Sequence, residues 1–236
     1  SLSDARGFRS RSTLRHAPGE AAYHKAQANP RATREASSNP VNTPAHALIA
    51  VASLAGGSRR PFARHAVAGA LLPDIPMFGF YLWQRGYVGL SENQIWNETY
   101  FKPGWQLFFD TFNSAPLVLL GFALASLANP SVRQGLQVFF GAMLLHIMVD
   151  LPLHHDDGHR HFLPLSEWRF ESPISYWDPA HAGMYGAGLE LLCVLGASSI
   201  IWRRTQARWV RVLVGTLSAL SLFVYAGFYW VRGWVE

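Results

Sequence analysis

The stretch His146-Ile-Met-Val-Asp150-Leu-Pro-Leu-His154-His155-Asp156-Asp157-Gly158-His159-Arg160-His161 decides how the rest of the chain is interpreted. It begins inside an apolar segment, ends in a polar loop and holds five of the ten histidines. His146 and Asp150 are four residues apart, so a helix presents both side chains on one face. An imidazole and a carboxylate on one face form half of a metal site. A complete site needs further ligands from other segments.

The composition indicates a membrane protein. Half of the 236 residues are hydrophobic and only 15% are charged, against about 25% in a typical soluble domain. The single cysteine, Cys193, excludes a disulfide within the chain. The net charge of +5 comes largely from Arg at segment ends and in the N-terminal tail. Outside that tail no basic stripe with interleaved aromatics occurs, so we expect no nucleic-acid partner.

The first forty residues differ from everything that follows. Residues 1–40 are rich in Arg and Ser, poor in large aliphatic side chains and without periodicity, a composition that cannot offset the entropy of ordering. Val41 is followed at once by Asn-Thr-Pro-Ala-His, which resembles a protein start, because a GTG start codon appears as Val in a longer translation. We therefore predict that 1–40 is a disordered or upstream extension and that 41–236 forms a helical membrane domain.

Apolar segments fill the rest of the chain, and several approach the ~20 residues that span a bilayer. We predict an all-α, polytopic integral membrane protein of five or six transmembrane helices, with two long extracytoplasmic loops at 84–106 and 154–180. A soluble helical protein with buried helices is the alternative. The apolar segments cover about 44–56, 62–83, 107–128, 133–153, 182–202 and 209–231.

The distribution of Arg predicts the orientation. The short connections between segments one and two, three and four, and five and six carry most of the Arg residues outside the tail. Short Arg-rich loops face the cytoplasm, so the two long loops face outward. The expected location is a bacterial inner (plasma) membrane, crossed several times.

Ionisable side chains inside membrane segments cost several kcal/mol unless they are paired or ligating, and here they share one half of the membrane. With the orientation above, six of them map to the outward half, and His154 follows at the start of the loop. Imidazole and carboxylate ligands suit zinc, so we predict a site for one or two divalent ions. The predicted ligands are His46, Asp74, Asp110, His146, Asp150 and His154, with Glu190 as a further ligand or general base.

Several of these residues also have a simpler explanation, and for His146 it is a core histidine whose hydrogen bonds are satisfied. Thr43-Pro44 resembles a helix cap, which would make His46 an ordinary interfacial histidine. Asp74 lies between two prolines and could cap the helix that resumes there. Glu190 could pair with a nearby cation. We interpret the loop histidines from His155 to His161 as a solvated gate, where histidine costs little.

Three motifs resemble the YdjM-like membrane-bound metal-dependent hydrolases. They are Thr43-Pro-Ala-His46, then Gly69-Ala-Leu-Leu-Pro-Asp74-Ile75, then His146-x-x-x-Asp150 followed by Pro152. The resemblance covers about 42–157, roughly half of the chain. The family is similar in turn to zinc-dependent phospholipase C enzymes, which hold their metals on a His-x-x-x-Asp helix. Where the family carries two histidines between the second and third motifs, this chain has Asp110 and Asn113.

The resemblance implies metal-dependent hydrolysis of an ester or phosphoester. A membrane lipid is a suitable substrate, because it can reach such a site laterally. Two other classes stay open. A structural or accessory subunit of a membrane complex would use the same residues for hydrogen bonding to partner subunits, and the missing family histidines favour it. A transporter would need polar groups in the cytoplasmic half, where the sequence places none, and so ranks last.

Overall fold

The computed structural model describes residues 42–155, 157–176 and 178–231, and every regular element in that part is helical. The prediction for residues 1–40 lies outside it. Eight described α-helices have eight or more residues. They are α1 (Asn42–Leu54), α2 (Ala63–Leu71), α3 (Ile75–Leu82), α4 (Pro103–Phe112), α5 (Ala115–Ala125), α6 (Pro130–Asp150), α7 (Gly183–Arg204) and α8 (Arg208–Ala226).

Within the described residues, four stretches are long and apolar enough to cross a membrane. A fifth arises if Gly57–Leu71 and Ile75–Val88, which contain α2 and α3 and meet at a 54° bend, are counted as one broken span. Helix α1 is apolar but too short for this test. The all-α class is therefore confirmed, with four or five candidate spans against the five or six predicted. The four stretches are Pro103–Ala125, Pro130–Leu153, Gly183–Arg204 and Arg208–Trp230.

Prolines and a capping serine set the breaks between the shorter helices. Pro73 follows the end of α2, and Pro76 occupies the first turn of α3, where its missing N–H costs nothing. Ser114 separates α4 from α5 and accepts a hydrogen bond from the Leu117 backbone N–H at 3.3 Å. The break between α2 and α3 contains Asp74, a polar residue within an apolar stretch of the chain.

Helix α1 lies at the centre and packs against α2, α6 and α7. Small side chains permit these close approaches. A Cβ atom on Gly69 of α2 would lie only 2.0 Å from the Phe139 carbonyl oxygen of α6, so the two backbones are in direct contact. On its other side, Leu48 of α1 packs in one apolar cluster with Val194 and Ile201 of α7. The central helices consequently bring their polar residues together at one end.

The two predicted loops differ in structure. The segment 84–106 is largely helical, with π-helical turns at Trp83–Val88 and Ile95–Thr99, and its aromatic rings form a core around Phe80 and Phe109. The sequence pattern did not show that its aromatic side chains pack inward, and the position of this connection outside the membrane stays a prediction. The second segment, 154–180, contains one short 3₁₀ turn at its end and is otherwise non-helical in its described part.

Backbone hydrogen bonds hold this second loop against the end of α6. The Ser172 N–H donates to the His154 carbonyl, and the Tyr176 N–H donates to the Leu153 carbonyl, both at 3.0 Å. The Ser172 hydroxyl donates to the Pro152 carbonyl at 2.5 Å. Residues 172–176 therefore form a strap across the polar end of the central helices.

Candidate metal centre

His46, His146 and Asp150 form a buried group with the geometry to hold a metal ion. One ligand atom from each lies within 4.8 Å of the other two. His46 Nε2 is 3.0 Å from Asp150 Oδ1, and His146 Nε2 is 2.9 Å from Asp150 Oδ2. Ligands at about 2.0 Å from a tetrahedral zinc lie about 3.3 Å apart, so only small adjustments are needed for all three to bind one ion.

A backbone contact fixes the tautomer of His146. Its Nδ1 atom lies 2.7 Å from the Ala70 carbonyl oxygen. Because a carbonyl oxygen only accepts hydrogen bonds, Nδ1 carries a proton, and whenever the ring is neutral Nε2 has a lone pair that a metal ion can accept. Donation from the distal ring nitrogen to a carbonyl is the usual support of a metal-binding histidine.

The lone pair of His146 Nε2 has no hydrogen-bond partner among the described residues, although the atom is fully buried. Two carboxylate oxygens are near: one of Asp150 at 2.9 Å, within ion-pair distance, and one of Asp74 at 3.6 Å, beyond hydrogen-bond distance. A bare nitrogen and two carboxylates facing one another repel unless a positive charge, either a proton on Nε2 or a metal ion, lies between them. A metal ion meets that requirement.

His46 reaches the centre from the first turns of α1. The helix already begins at Asn42, and the Thr43 hydroxyl donates to Asp74 Oδ2 at 2.6 Å, so the alternative of Thr43 as a simple helix cap is not what the structure contains. The His46 ring is 5% exposed and stacks on the His146 ring, with centroids 3.9 Å apart. It is a core residue of the site, and the interfacial interpretation is wrong.

Asp74 stands at the bend between α2 and α3. Its side chain makes no capping hydrogen bond to α3, which excludes the simpler explanation for this residue. It accepts from Thr43 and lies 3.6 Å from His146 Nε2. The carboxylate is therefore positioned as an outer member of the centre, on the opposite side of His146 from Ala70.

His154 lies at the rim. Its Nε2 is 4.0 Å from Asp150 Oδ1, and its Nδ1 is 3.0 Å from Asp157 Oδ1. Burial lowers the pKa of His154, but the Asp157 charge and hydrogen bond outweigh it and raise the pKa to about 9. A ligand role for His154 stays a prediction, because the metal-binding group found in the structure contains only His46, His146 and Asp150.

Asp110 belongs to a different cluster. The fully buried carboxylate is 2.5 Å from Arg160 Nε and 3.0 Å from His159 Nδ1. Both its oxygens are engaged by the loop, so the structure does not bring Asp110 together with His46 and His146. In this arrangement Asp110 anchors the loop to α4.

The solvated-gate interpretation of the loop histidines is wrong for His161. This ring is 3% exposed, and its Nδ1 donates to the Asn113 carbonyl at 3.0 Å. Burial, together with the nearby His159, lowers the pKa of His161 to about 4. Like Asp110, it attaches the loop to the break between α4 and α5. Sequence alone does not distinguish a buried loop histidine from an exposed one.

Glu190 and Tyr176 complete the surroundings. Glu190 of α7 is 8% exposed, and the charges of Asp150 and His154 act on its carboxyl group. It forms no ion pair with a cation in the described ranges. Burial, followed by the charge of Glu190, raises the pKa of Tyr176 well above its usual value. Tyr176 was not among the predicted site residues, because a tyrosine in an aromatic loop carries no spacing signal.

Comparison with known proteins adds no assignment: no protein-family model, no curated protein and no solved structure matches this chain.

Proposed function

We propose that this chain is a membrane-embedded metal-dependent hydrolase of an ester or phosphoester. Its metal, in this proposal zinc, is held by His46, His146 and Asp150, and its site opens to the extracytoplasmic side of a bacterial inner membrane. The proposal combines the buried ligand group with the three motifs that resemble the YdjM-like hydrolases.

One observation carries the proposal. The unpartnered Nε2 of His146 faces two carboxylates inside a buried site. With a neutral ring, this nitrogen is a buried unpaired acceptor, which destabilises the fold by about 1–3 kcal/mol unless a metal ion binds it. The bond from Nδ1 to Ala70 fixes the ring in the tautomer that a metal ligand requires.

The remaining polar groups support hydrolysis. A zinc-like ion lowers the pKa of a bound water towards 7 and polarises a carbonyl or phosphoryl oxygen. Asp74, fixed by Thr43, balances the charge beside His146. Glu190 is the candidate general base, because it is buried, near Asp150 and free of ion pairs with cations among the described residues.

A lipid substrate fits the location of the site. The ligands come from α1 and α6, which lie among helices apolar enough to span a membrane, so a lipid headgroup could enter sideways between helices. Helices α5 and α8 expose large apolar side chains such as Leu120 and Phe223. Such side chains suit contact with lipid acyl chains.

Metal analysis tests the proposal most directly. Protein purified without imidazole should contain about one zinc or similar ion per chain, and Asp150→Asn and His146→Gln should lose it while keeping their helical circular dichroism. His65→Gln, which changes a histidine outside the ligand group, should keep its metal. Wild-type protein should then hydrolyse chromogenic carboxyl-ester, phosphomonoester or phosphodiester substrates, and Glu190→Gln should slow this without losing metal.

The accessory-subunit alternative gives the opposite result. In that case protons alone would bridge the histidines and Asp150, and the folded wild-type chain would contain no metal. Metal-free wild-type protein with intact helical content and stable co-purifying partner subunits would overturn the hydrolase proposal.

A further inference from the structure

Tyr176 is a buried tyrosine in the strap that crosses the polar end of the helices. Its side chain is 8% exposed, and its hydroxyl has no hydrogen-bond partner among the described residues. Buried hydroxyls without a partner are rare in folded proteins and require an explanation. The apolar neighbours of the ring, Leu153 and Ala187, would accommodate phenylalanine equally well.

The strap holds Tyr176 beside the candidate metal centre. Its backbone N–H donates to the Leu153 carbonyl at 3.0 Å, which places it next to the end of α6. Its ring meets the His154 ring edge-on, with centroids 5.6 Å apart and planes inclined by 74°. The phenol is thus fixed against the rim residue of the site by both backbone and ring contacts.

The charges of the acids of the site act on the hydroxyl. The carboxylates whose charges act on it are Glu190, Asp150 and Asp74, in decreasing order. This O–H can donate, but among the described residues it has no acceptor in hydrogen-bond contact. An oxygen atom of a bound molecule would supply that acceptor, provided that a metal ion offsets the charge of the carboxylates.

We propose that the Tyr176 hydroxyl donates a hydrogen bond to an oxygen of the phosphate or ester group bound at the His46–His146–Asp150 centre. This inference rests on the proposed function, because it requires a metal at that centre. It adds a substrate-binding residue from the loop, outside the three motifs, and it makes tetrahedral oxyanions such as inorganic phosphate suitable ligands of the site.

The test uses cobalt(II)-loaded full-length protein in detergent, with inorganic phosphate as the probe. Cobalt gives visible absorption that reports both metal loading and changes at the metal. Wild type and Tyr176→Phe should load cobalt equally. Tyr176→Phe should bind phosphate about 10–100-fold more weakly, the effect of losing one hydrogen bond to a charged group.

Tyr225→Phe is the matched control. Tyr225 packs in the same cluster, but its hydroxyl already donates to the Met184 carbonyl at 3.4 Å. Its phosphate affinity should equal that of wild type. Thermal unfolding gives a second readout: Tyr176→Phe should be as stable as wild type or more so, because it removes an unpaired buried hydroxyl, whereas a structural hydroxyl would leave a destabilised variant.

Three results would overturn the inference: equal phosphate affinity in wild type and Tyr176→Phe, cobalt loss in Tyr176→Phe, or a wild-type cobalt spectrum that phosphate leaves unchanged. Failure of the proposed function looks different, since wild-type protein would then bind no cobalt at all.

Discussion

His146 of α6 donates a hydrogen bond from Nδ1 to the Ala70 carbonyl of α2 at 2.7 Å, and this bond is possible only because Gly69 lets the two helices touch. The close contact between the α2 and α6 backbones therefore determines how His146 is oriented in the candidate metal centre. The glycine in Gly69-Ala-Leu-Leu-Pro-Asp74 sets the distance between α2 and α6. The hydrogen bond that this distance allows orients the imidazole so that Nε2 faces Asp150.

Gly69→Ala should separate α2 from α6 and weaken the site. The new Cβ would lie 2.0 Å from the Phe139 carbonyl oxygen, a backbone atom that cannot move aside without shifting its helix. We expect a loss of about 1–3 kcal/mol in the free energy of unfolding and a lower metal content, measured by thermal unfolding in detergent and by metal analysis. Gly79→Ala, where a Cβ meets no atom within 4 Å, should be neutral or stabilising; equal effects of both changes would contradict this account.

Thr43→Ala should reduce metal affinity without removing a ligand. The Thr43 hydroxyl donates to Asp74 Oδ2 at 2.6 Å and so orients the carboxylate beside His146. Loss of a supporting hydrogen bond of this kind costs about 10–100-fold in metal affinity, which competition with a zinc chelator measures. Thr43→Ser retains the hydroxyl and should restore affinity. Thr111→Ala, which removes a hydroxyl bonded within α4, is the control for threonine removal itself.

Asp110→Asn should destabilise the protein while leaving its metal content near that of wild type. The carboxylate pairs with Arg160 and His159 of the loop, and its neutralisation leaves Arg160 without its charge partner. We expect a loss of roughly 1–3 kcal/mol, since Arg160 retains access to solvent. Asp150→Asn is the matched comparison and should lose metal. If Asp110→Asn lost metal as completely as Asp150→Asn, the separation of the two clusters would be refuted.

The sequence predicted the helices and part of the centre because both depend on local patterns. Apolar segments of about 20 residues define spans, and the i, i+4 spacing of His146 and Asp150 places both on one helical face. His46 was predicted as a further ligand because it maps to the same half of the membrane as His146 and Asp150. The same reasoning included Asp110, which lies at a similar level but pairs with the loop, because depth does not specify the lateral position of a residue around the helices.

The contacts that the sequence did not predict are long-range and carried by loops. Burial of His161 depends on the Asn113 carbonyl, 48 residues earlier in the chain. The position of Tyr176 depends on a backbone bond to Leu153. Such contacts have no periodicity, and a loop rich in His and aromatic residues has the same composition whether it is solvated or packed against helices.

The free energy of unfolding of the protein should decrease as the pH falls from about 6.5 to about 4, because His161 takes up a proton more readily in the unfolded chain. Burial lowers the pKa of His161 to about 4 in the folded protein, from 6.5 for an unperturbed histidine. Between these values the unfolded chain binds a proton that the folded chain does not, so protonation favours unfolding. The contribution of His161 is complete above pH 6.5, decreases as the pH drops through this window, and amounts to about 3 kcal/mol at most.

His161→Asn isolates this effect, because an asparagine amide can still donate to the Asn113 carbonyl but does not titrate. Unfolding in detergent, followed from pH 7 to pH 4, should show a shallower loss of stability for the variant than for wild type. Carboxylates that titrate near pH 4 are common to both proteins and cancel in the difference. Parallel pH profiles would show that His161 is protonated without cost, and its burial beneath the loop would then not govern the acid sensitivity of the protein.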